Sequence, residues 1–361
     1  MFACFGRGST KEEKEAAKAE KAERTKSAAT LVQLEGLMKQ AIERHSSAKE
    51  PLVVSCYDDL PEDIKDLLQM SEIDSNTDIW VILQCLNFLI KRKFKYTGDG
   101  EERSVPDDSR KKVPKPQLPS VESLLTPGDP SVQYKVGDMV GEGGFGSVYL
   151  AKLKKGKGRV AIKKMDHISS GQQNDNLTEV YFLKNCDQPN VVKFLSAHHV
   201  GDQLWMLMEF MEGGTLTEAA VKYKFQEKHV AYVAQEVLKG LSYLHAKNFI
   251  HRDLKSPNIM LTTSGEIKMV DFGLCVDVSD GGMLNSMAGS PLWMPPEMIK
   301  GEDYFFKADI WSFGTCMLEL INQEPPFLLK GAIKVCLTEY QLAPTLAHFL
   351  NIKIGHGDGR C

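Results

Sequence analysis

The chain lacks the features that would send it into a membrane core, a disulfide scaffold or a nucleic-acid groove. Its longest apolar run, Ile79 to Ile90 (IWVILQCLNFLI), reaches roughly 18 Å as a helix, well short of a bilayer core of about 30 Å. Gln84 and Asn87 interrupt that run, so a buried or docking helix is expected there and no transmembrane segment. The eight cysteines are scattered and make no C-x-x-C pair, which argues against a zinc site and for a reducing, cytoplasmic compartment. Neither sign of charge dominates: the formal net charge is −4, so no nucleic-acid partner is expected. The opening MFACFGRGSTKEEKE has no apolar stretch of signal-peptide length, and Phe2 stands where myristoylation requires glycine.

What is present is organised around Phe249 to Gly273, FIHRDLKSPNIMLTTSGEIKMVDFG. His-Arg-Asp-Leu-Lys-x-x-Asn followed by Asp-Phe-Gly resembles the catalytic and metal-binding core of a protein kinase. Phosphoryl transfer asks a protein for positioning and for charge placed where it develops, more than for covalent chemistry. The resemblance implies that Asp253 accepts or orients the proton of a substrate hydroxyl. It implies that Asn258 and Asp271 hold Mg²⁺ and that Lys255 steadies the transferring phosphate.

Upstream, Val140, Gly141, Glu142, Gly143, Gly144, Phe145, Gly146, Ser147 and Val148 spell a Gly-rich loop between two predicted strands. Its glycines let backbone amides approach the phosphates of ATP without Cβ obstruction. A dinucleotide fold would offer the same glycines, but no βαβ unit follows, and Val160-Ala-Ile-Lys163 arrives at a kinase's strand spacing. Lys163 is then expected to bridge the α and β phosphates and to pair with Glu179 on the next helix. Leu204 to Leu216 (LWMLMEFMEGGTL) fits a hinge, where Glu209 and Met211 would offer backbone groups to adenine and Met208 would back the pocket.

GDQLWMLMEFMEGGTLTE, HRDLKSPNIML, DFGLC and WMPPEM follow the pattern of PAK-like serine/threonine kinases, which Rho-type GTPases activate, and this resemblance runs from about Tyr134 to Phe327. Lys255 after Asp253 is the serine/threonine pattern. Ser290 is expected to contact Asp253, Asp309 to accept hydrogen bonds from the catalytic-loop backbone, and Ser286 to be a regulatory phosphosite whose phosphate draws in Arg252. LPEDIKDLLQMSEI and WVILQCLNF resemble the same family's autoinhibitory switch. A Rho-family GTPase thereby enters as a partner beside protein substrates, although the I-S-x-P motif for binding one is absent.

The expected architecture is α+β. It comprises a bilobal kinase fold at 134–330, with a β-rich small lobe and an incomplete helical large lobe, after a helical regulatory segment. Flanking it are a charged helix-prone region (1–50), the switch-like helical segment (51–97), a Pro-rich linker (98–133) and an atypical tail (331–361). Past Phe327 the kinase pattern stops, leaving Glu297 without its usual arginine and apolar surface around Trp311 to Leu320 uncovered. The reading is a serine/threonine kinase with an N-terminal inhibitory segment. The alternative is a catalytically incompetent, truncated kinase acting as a binding or decoy protein.

Overall fold

The computed structural model describes residues 50–71, 118–143 and 146–326 continuously. It also describes shorter pieces at 36–37, 39–41, 43–45, 94–96 and 103–104, and the single residues 73, 79, 82, 83, 86 and 116. Gly144, Phe145, most of the N-terminal charged region and the tail from 327 onward lie outside the described residues. The chain divides into two compact units, one built mainly from residues 1–108 and one mainly from 109–326.

In the first unit, strands β1 (Leu52–Val54), β2 (Phe94–Tyr96) and β3 (Arg103–Ser104) form a small sheet in the order β1-β2-β3. The β1–β2 pair is parallel and β2–β3 antiparallel. Helix α1 (Glu62–Met70) starts behind Pro61, a residue whose missing N–H costs nothing at a helix start. It buries Ile64, Leu67 and Leu68 on one side, the i, i+3, i+4 spacing of an amphipathic helix. Within the apolar run from Ile79, residues Ile82, Leu83 and Leu86 are helical and fully buried. The segment read as purely helical thus also carries a sheet, because Leu52–Val54 and Phe94–Tyr96, each short and β-prone, pair across the helices between them.

The second unit opens on a short helix, α2 (Val121–Leu124), in the stretch read from sequence as linker. Leu124 is buried in the main core, Lys184 Nζ donates to the Ser123 carbonyl at 2.6 Å, and Thr126 N–H bonds the Ala197 carbonyl at 2.6 Å. Residues 120–126 are therefore part of the folded lobe. The glycines, prolines and charges of the surrounding stretch signal a spacer, but one leucine placed in the core outweighs composition.

Five antiparallel strands follow: β4 (Tyr134–Gly143), β5 (Gly146–Leu153), β6 (Arg159–Asp166), β7 (Phe194–Val200) and β8 (Gln203–Glu209), in the order β4-β5-β6-β8-β7. Helix α3 (Ser170–Lys184), capped by Ser169 and Gln172 in a reciprocal box, separates β6 from β7. Alternation along β6 buries Ile162 on one face with Trp205 and Leu207, and turns Ala161 and Lys163 to the other.

Beyond β8 come helices α4 (Leu216–Lys222) and α5 (Glu227–Ala246) and strands β9 (Phe249–Ile250), β10 (Ile259–Leu261), β11 (Ile267–Met269) and β12 (Val276–Asp277). Helices α6 (Pro296–Ile299) and α7 (Lys307–Asn322) complete the unit. One core runs through both lobes, from Phe182 and Leu183 of α3 through Phe272 to Cys316 and Leu320 of α7. The apolar surface expected to stand open around Trp311 to Leu320 is not open: no residue in that span is exposed, since Cys316, Met317 and Leu320 enter the core and Ile310 and Phe313 pack against it.

Candidate active site

Two lobes meet around one cavity of about 420 Å³. The sheet contributes Val140, Gly141, Glu142, Gly143, Gly146, Val148 and Lys163; α3 contributes Glu179; the segment after β8 contributes Glu209 and Met211; the larger lobe contributes Asp253, Lys255, Asn258 and Asp271. Ser147 does not line it, because it alternates with Val148 along β5 and so faces the other side of the sheet. Gly144 and Phe145 fall outside the described residues. Ser286 lies elsewhere, buried beside Arg252.

The cavity's polar wall is a chain of charges. Lys163 Nζ bonds Glu179 Oε1 at 2.6 Å and Asp271 Oδ1 at 3.1 Å. Burial disfavours the ammonium, but the two carboxylates outweigh it and hold the lysine pKa above its ordinary value. At Asp271, too, burial would raise the pKa, yet Lys163 draws it below the usual carboxylate range. Lys163 and Asp271 are thus both charged at neutral pH, in a site where phosphates need cations and a metal needs an anion.

Asp253 is 6% exposed and fully engaged. Its Oδ1 accepts from the Ser290 hydroxyl at 2.8 Å, and its Oδ2 accepts from Lys255 Nζ at 2.8 Å and Asn258 Nδ2 at 3.1 Å. Asn258 Nδ2 also donates to the Asp253 carbonyl at 2.9 Å, which leaves the amide oxygen as that side chain's free acceptor. Lys255 Nζ reaches Ser290 Oγ at 2.7 Å, closing a triangle of base, cation and hydroxyl. Asn258 and Asp271 supply oxygen ligands of the kind Mg²⁺ takes; that ion commonly keeps several waters and only one or two protein carboxylates beside substrate phosphates. The donor set fits the metal.

The loop that holds these groups is strained in two places. Arg252 (φ 63°) and Asp271 (φ 64°) occupy the left-handed region, which costs a non-glycine residue on the order of 1–3 kcal/mol. Asp309, fully buried at the start of α7, offsets part of this by accepting from the His251 and Arg252 amides at 2.9 Å each and pairing with His245 Nε2 at 2.9 Å. Burial pushes its pKa up, and the His245 contact with the backbone donors pulls it below the ordinary value. Gly289, at φ +107°, passes so close to the Arg252 carbonyl that a side chain there would collide with backbone.

Sequence reading missed several contributors. Met260 and Val270 line the cavity, one beside Asn258 on β10 and one just before Asp271, and strand alternation around the motifs could have found them. Lys268 and Tyr304 had no local signal. Lys268 Nζ bonds Glu209 Oε1 at 2.9 Å, the same oxygen that accepts from the Lys193 amide at 2.6 Å, so the hinge carboxylate is tied to the strand leading into Asp271. Tyr304 donates to the Ser286 carbonyl at 2.8 Å and sits within 3.4 Å of Arg252 Nη1 and the Ser286 hydroxyl. Glu297 makes no ion pair among the described residues, and burial raises its pKa against the weaker pull of Lys300 and Lys307.

Comparison with known proteins agrees with this geometry. Residues 134–347 match the family described as protein kinase domain. The chain is 43% identical over 297 residues, 80% of its own length and 41% of the relative's, to probable serine/threonine-protein kinase mkcB of Dictyostelium discoideum. It is 35% identical over 246 residues (65% and 38%) to serine/threonine-protein kinase pakA of Talaromyces marneffei. To serine/threonine-protein kinase CLA4 of Candida albicans it is 37% identical over 222 residues (60% and 23%). The chain spans less than half the length of the curated relatives it matches.

Replacing Asp309 with Asn tests the support beneath the strained loop. The variant is expected to lose about 3–5 kcal/mol at neutral pH, read from urea denaturation. Because the folded pKa is depressed, the carboxylate's contribution is present above the unfolded pKa and is lost as pH falls through the folded one. The gap between wild type and variant should therefore narrow on acidification; a gap that stays constant would contradict the role.

Proposed function

The chain belongs to the protein kinase family and is PAK-like within it, and from that footing we propose that it transfers the γ-phosphate of ATP to serine and threonine hydroxyls of proteins. One observation carries the reading: Lys163, Asp253, Asn258 and Asp271, drawn from three separate segments, converge on a single cavity. In the transfer the acceptor oxygen forms a bond to phosphorus as the bridging bond to the β-phosphate breaks, and the hydroxyl proton passes toward Asp253. Ser290 supports that role, because its hydroxyl already donates to Asp253 Oδ1 as an acceptor alcohol would. Lys255, bonded to both, places a positive charge beside the attacking oxygen and the phosphoryl group it receives. Lys163 orients phosphates from the opposite lobe, held in place by Glu179. Mg²⁺, held by Asn258 and Asp271 when bound, would neutralise phosphate charge.

Regulation is read from two further features. The N-terminal unit, with its buried α1 face and the helical residues after Ile79, is proposed to hold the kinase in check, as the resemblance to the PAK switch suggests. A Rho-family GTPase partner has that resemblance alone behind it, since the I-S-x-P motif is absent. Ser286 is proposed as a phosphosite: its hydroxyl accepts from Arg252 Nη1 at 3.1 Å, so a phosphate there would meet a cation already in place. Among the described residues no helix is long and apolar enough to cross a membrane. The reduced, buried thiols of Cys186, Cys275 and Cys316 support a cytoplasmic setting.

Purified chain is expected to phosphorylate a generic basic protein, with Asp271→Ala, checked to remain folded, lowering the rate at least about a hundredfold. Undiminished transfer by that variant would sink the enzymatic reading. Deleting residues 1–117, which spares the Leu124 anchor, should raise the rate several-fold; an equal or lower rate from a folded product removes the inhibitory role. Ser286→Ala should lower the maximal rate, and phosphopeptide mapping of active protein that finds Ser286 unmodified would count against the switch.

A further inference from the structure

The turn between β5 and β6 reads KLKKGKGR from Lys152 to Arg159, five cations in eight residues without a carboxylate. Gly156, at φ +119°, makes the tight turn, and the Leu153 amide closes it on the Gly158 carbonyl at 2.9 Å. Lys152 pairs in register with Lys135 on β4 and with Arg159 on β6, which lines three cations across one face of the sheet. Like charges directly opposite on neighbouring strands destabilise a sheet. Arg159 finds Glu212 at 2.6 Å and leans over the Phe210 ring. Lys135, Lys152, Lys154, Lys155 and Lys157 are all exposed and have no carboxylate in ion-pair contact among the described residues. The nearby Asp129 is committed to Ser131, through the amide at 2.7 Å. None of these lysines lines the nucleotide cavity.

We propose that this hairpin tip, with Lys135 beside it, is a docking surface for an anionic membrane face. Its lysines stand exposed on a tight turn, spread over the tip rather than gathered around one point. Its one apolar residue, Leu153, packs beneath the turn against Gly158, so the tip presents no aromatic or aliphatic anchor of the kind that tight peptide binding uses. Charge remains as the attraction, the kind that draws clustered lysines to an anionic lipid surface. Val132, 73% exposed and next to Gln133, whose carbonyl accepts from the Lys154 amide, adds a single apolar side chain at the margin. That combination suits shallow contact with headgroups.

The test is co-sedimentation of the full chain with phosphatidylcholine vesicles containing about 30% phosphatidylserine, set against vesicles of phosphatidylcholine alone. Wild type should bind the anionic vesicles only, and lose them at about 0.5 M salt. A variant combining Lys152→Gln, Lys154→Gln, Lys155→Gln and Lys157→Gln should bind at least about tenfold more weakly, with thermal unfolding and phosphotransfer to a soluble peptide unchanged. Equal binding by wild type and variant would overturn the proposal, because another segment would then be the anchor. Wild-type binding to polyglutamate without binding to anionic vesicles would overturn it too, in favour of an acidic protein partner.

Discussion

A lysine ammonium with only 8% of its side chain exposed persists only if carboxylates surround it, and Lys163 meets that condition by reaching two at once. Stripping one partner from a buried pair costs about 3–5 kcal/mol, a large share of a domain's net stability of about 5–15 kcal/mol. The position of α3 is therefore coupled to the sheet through Glu179, and the strand leading into Asp271 is coupled to both. The cleft is held at the ends of its own charge network: the groups that would grip ATP and metal are the same groups that hold the lobes in register.

The larger lobe meets a different demand. Its loop must present Asp253, Lys255 and Asn258 to one point while Arg252 and Asp271 sit in backbone conformations that side chains disfavour. Asp309 answers this from beneath, fully buried and accepting from two loop amides and a histidine. Ser290 answers it from above, fastening the Gly289–Trp293 loop to Asp253 and Lys255. Buried polar networks of this kind are favourable only when every member is paired, and here every oxygen of the Asp253 carboxylate is. The same rule makes Glu297, half-buried with its pKa pushed up, and Asn285, whose buried Oδ1 has no hydrogen-bond partner, points of weakness in this lobe.

The charged hairpin stands apart from this economy. Among the described residues its lysines make no ion pair with a carboxylate, and Lys135 and Lys152 stand opposite one another, so the folded lobe gains little from them. A feature that costs a little stability and serves neither core nor cleft points outward, toward something the isolated lobe does not contain.

The residue chemistry of the site was legible in the chain alone, since H-R-D-L-K-x-x-N, D-F-G and V-A-I-K are short strings whose members lie within a few bonds of one another. So were the amphipathic faces of α1 and the strand before the hinge, because periodicity is a local property. Packing of residues 120–126 into the lobe and the parallel pairing of Leu52–Val54 with Phe94–Tyr96 were not, and composition pointed the wrong way for the first. Nor did any spacing rule lead from Glu209 to Lys268 or from Ser286 to Tyr304. By itself the sequence determined which groups could do phosphoryl chemistry. Only the tertiary structure decided that Lys163 meets Asp271 across 108 positions and that Asp309 supports a loop 57 and 58 positions away. Hydrogen-bond periodicity reaches a few residues along a chain, whereas distant side chains meet only where the core has packed between them.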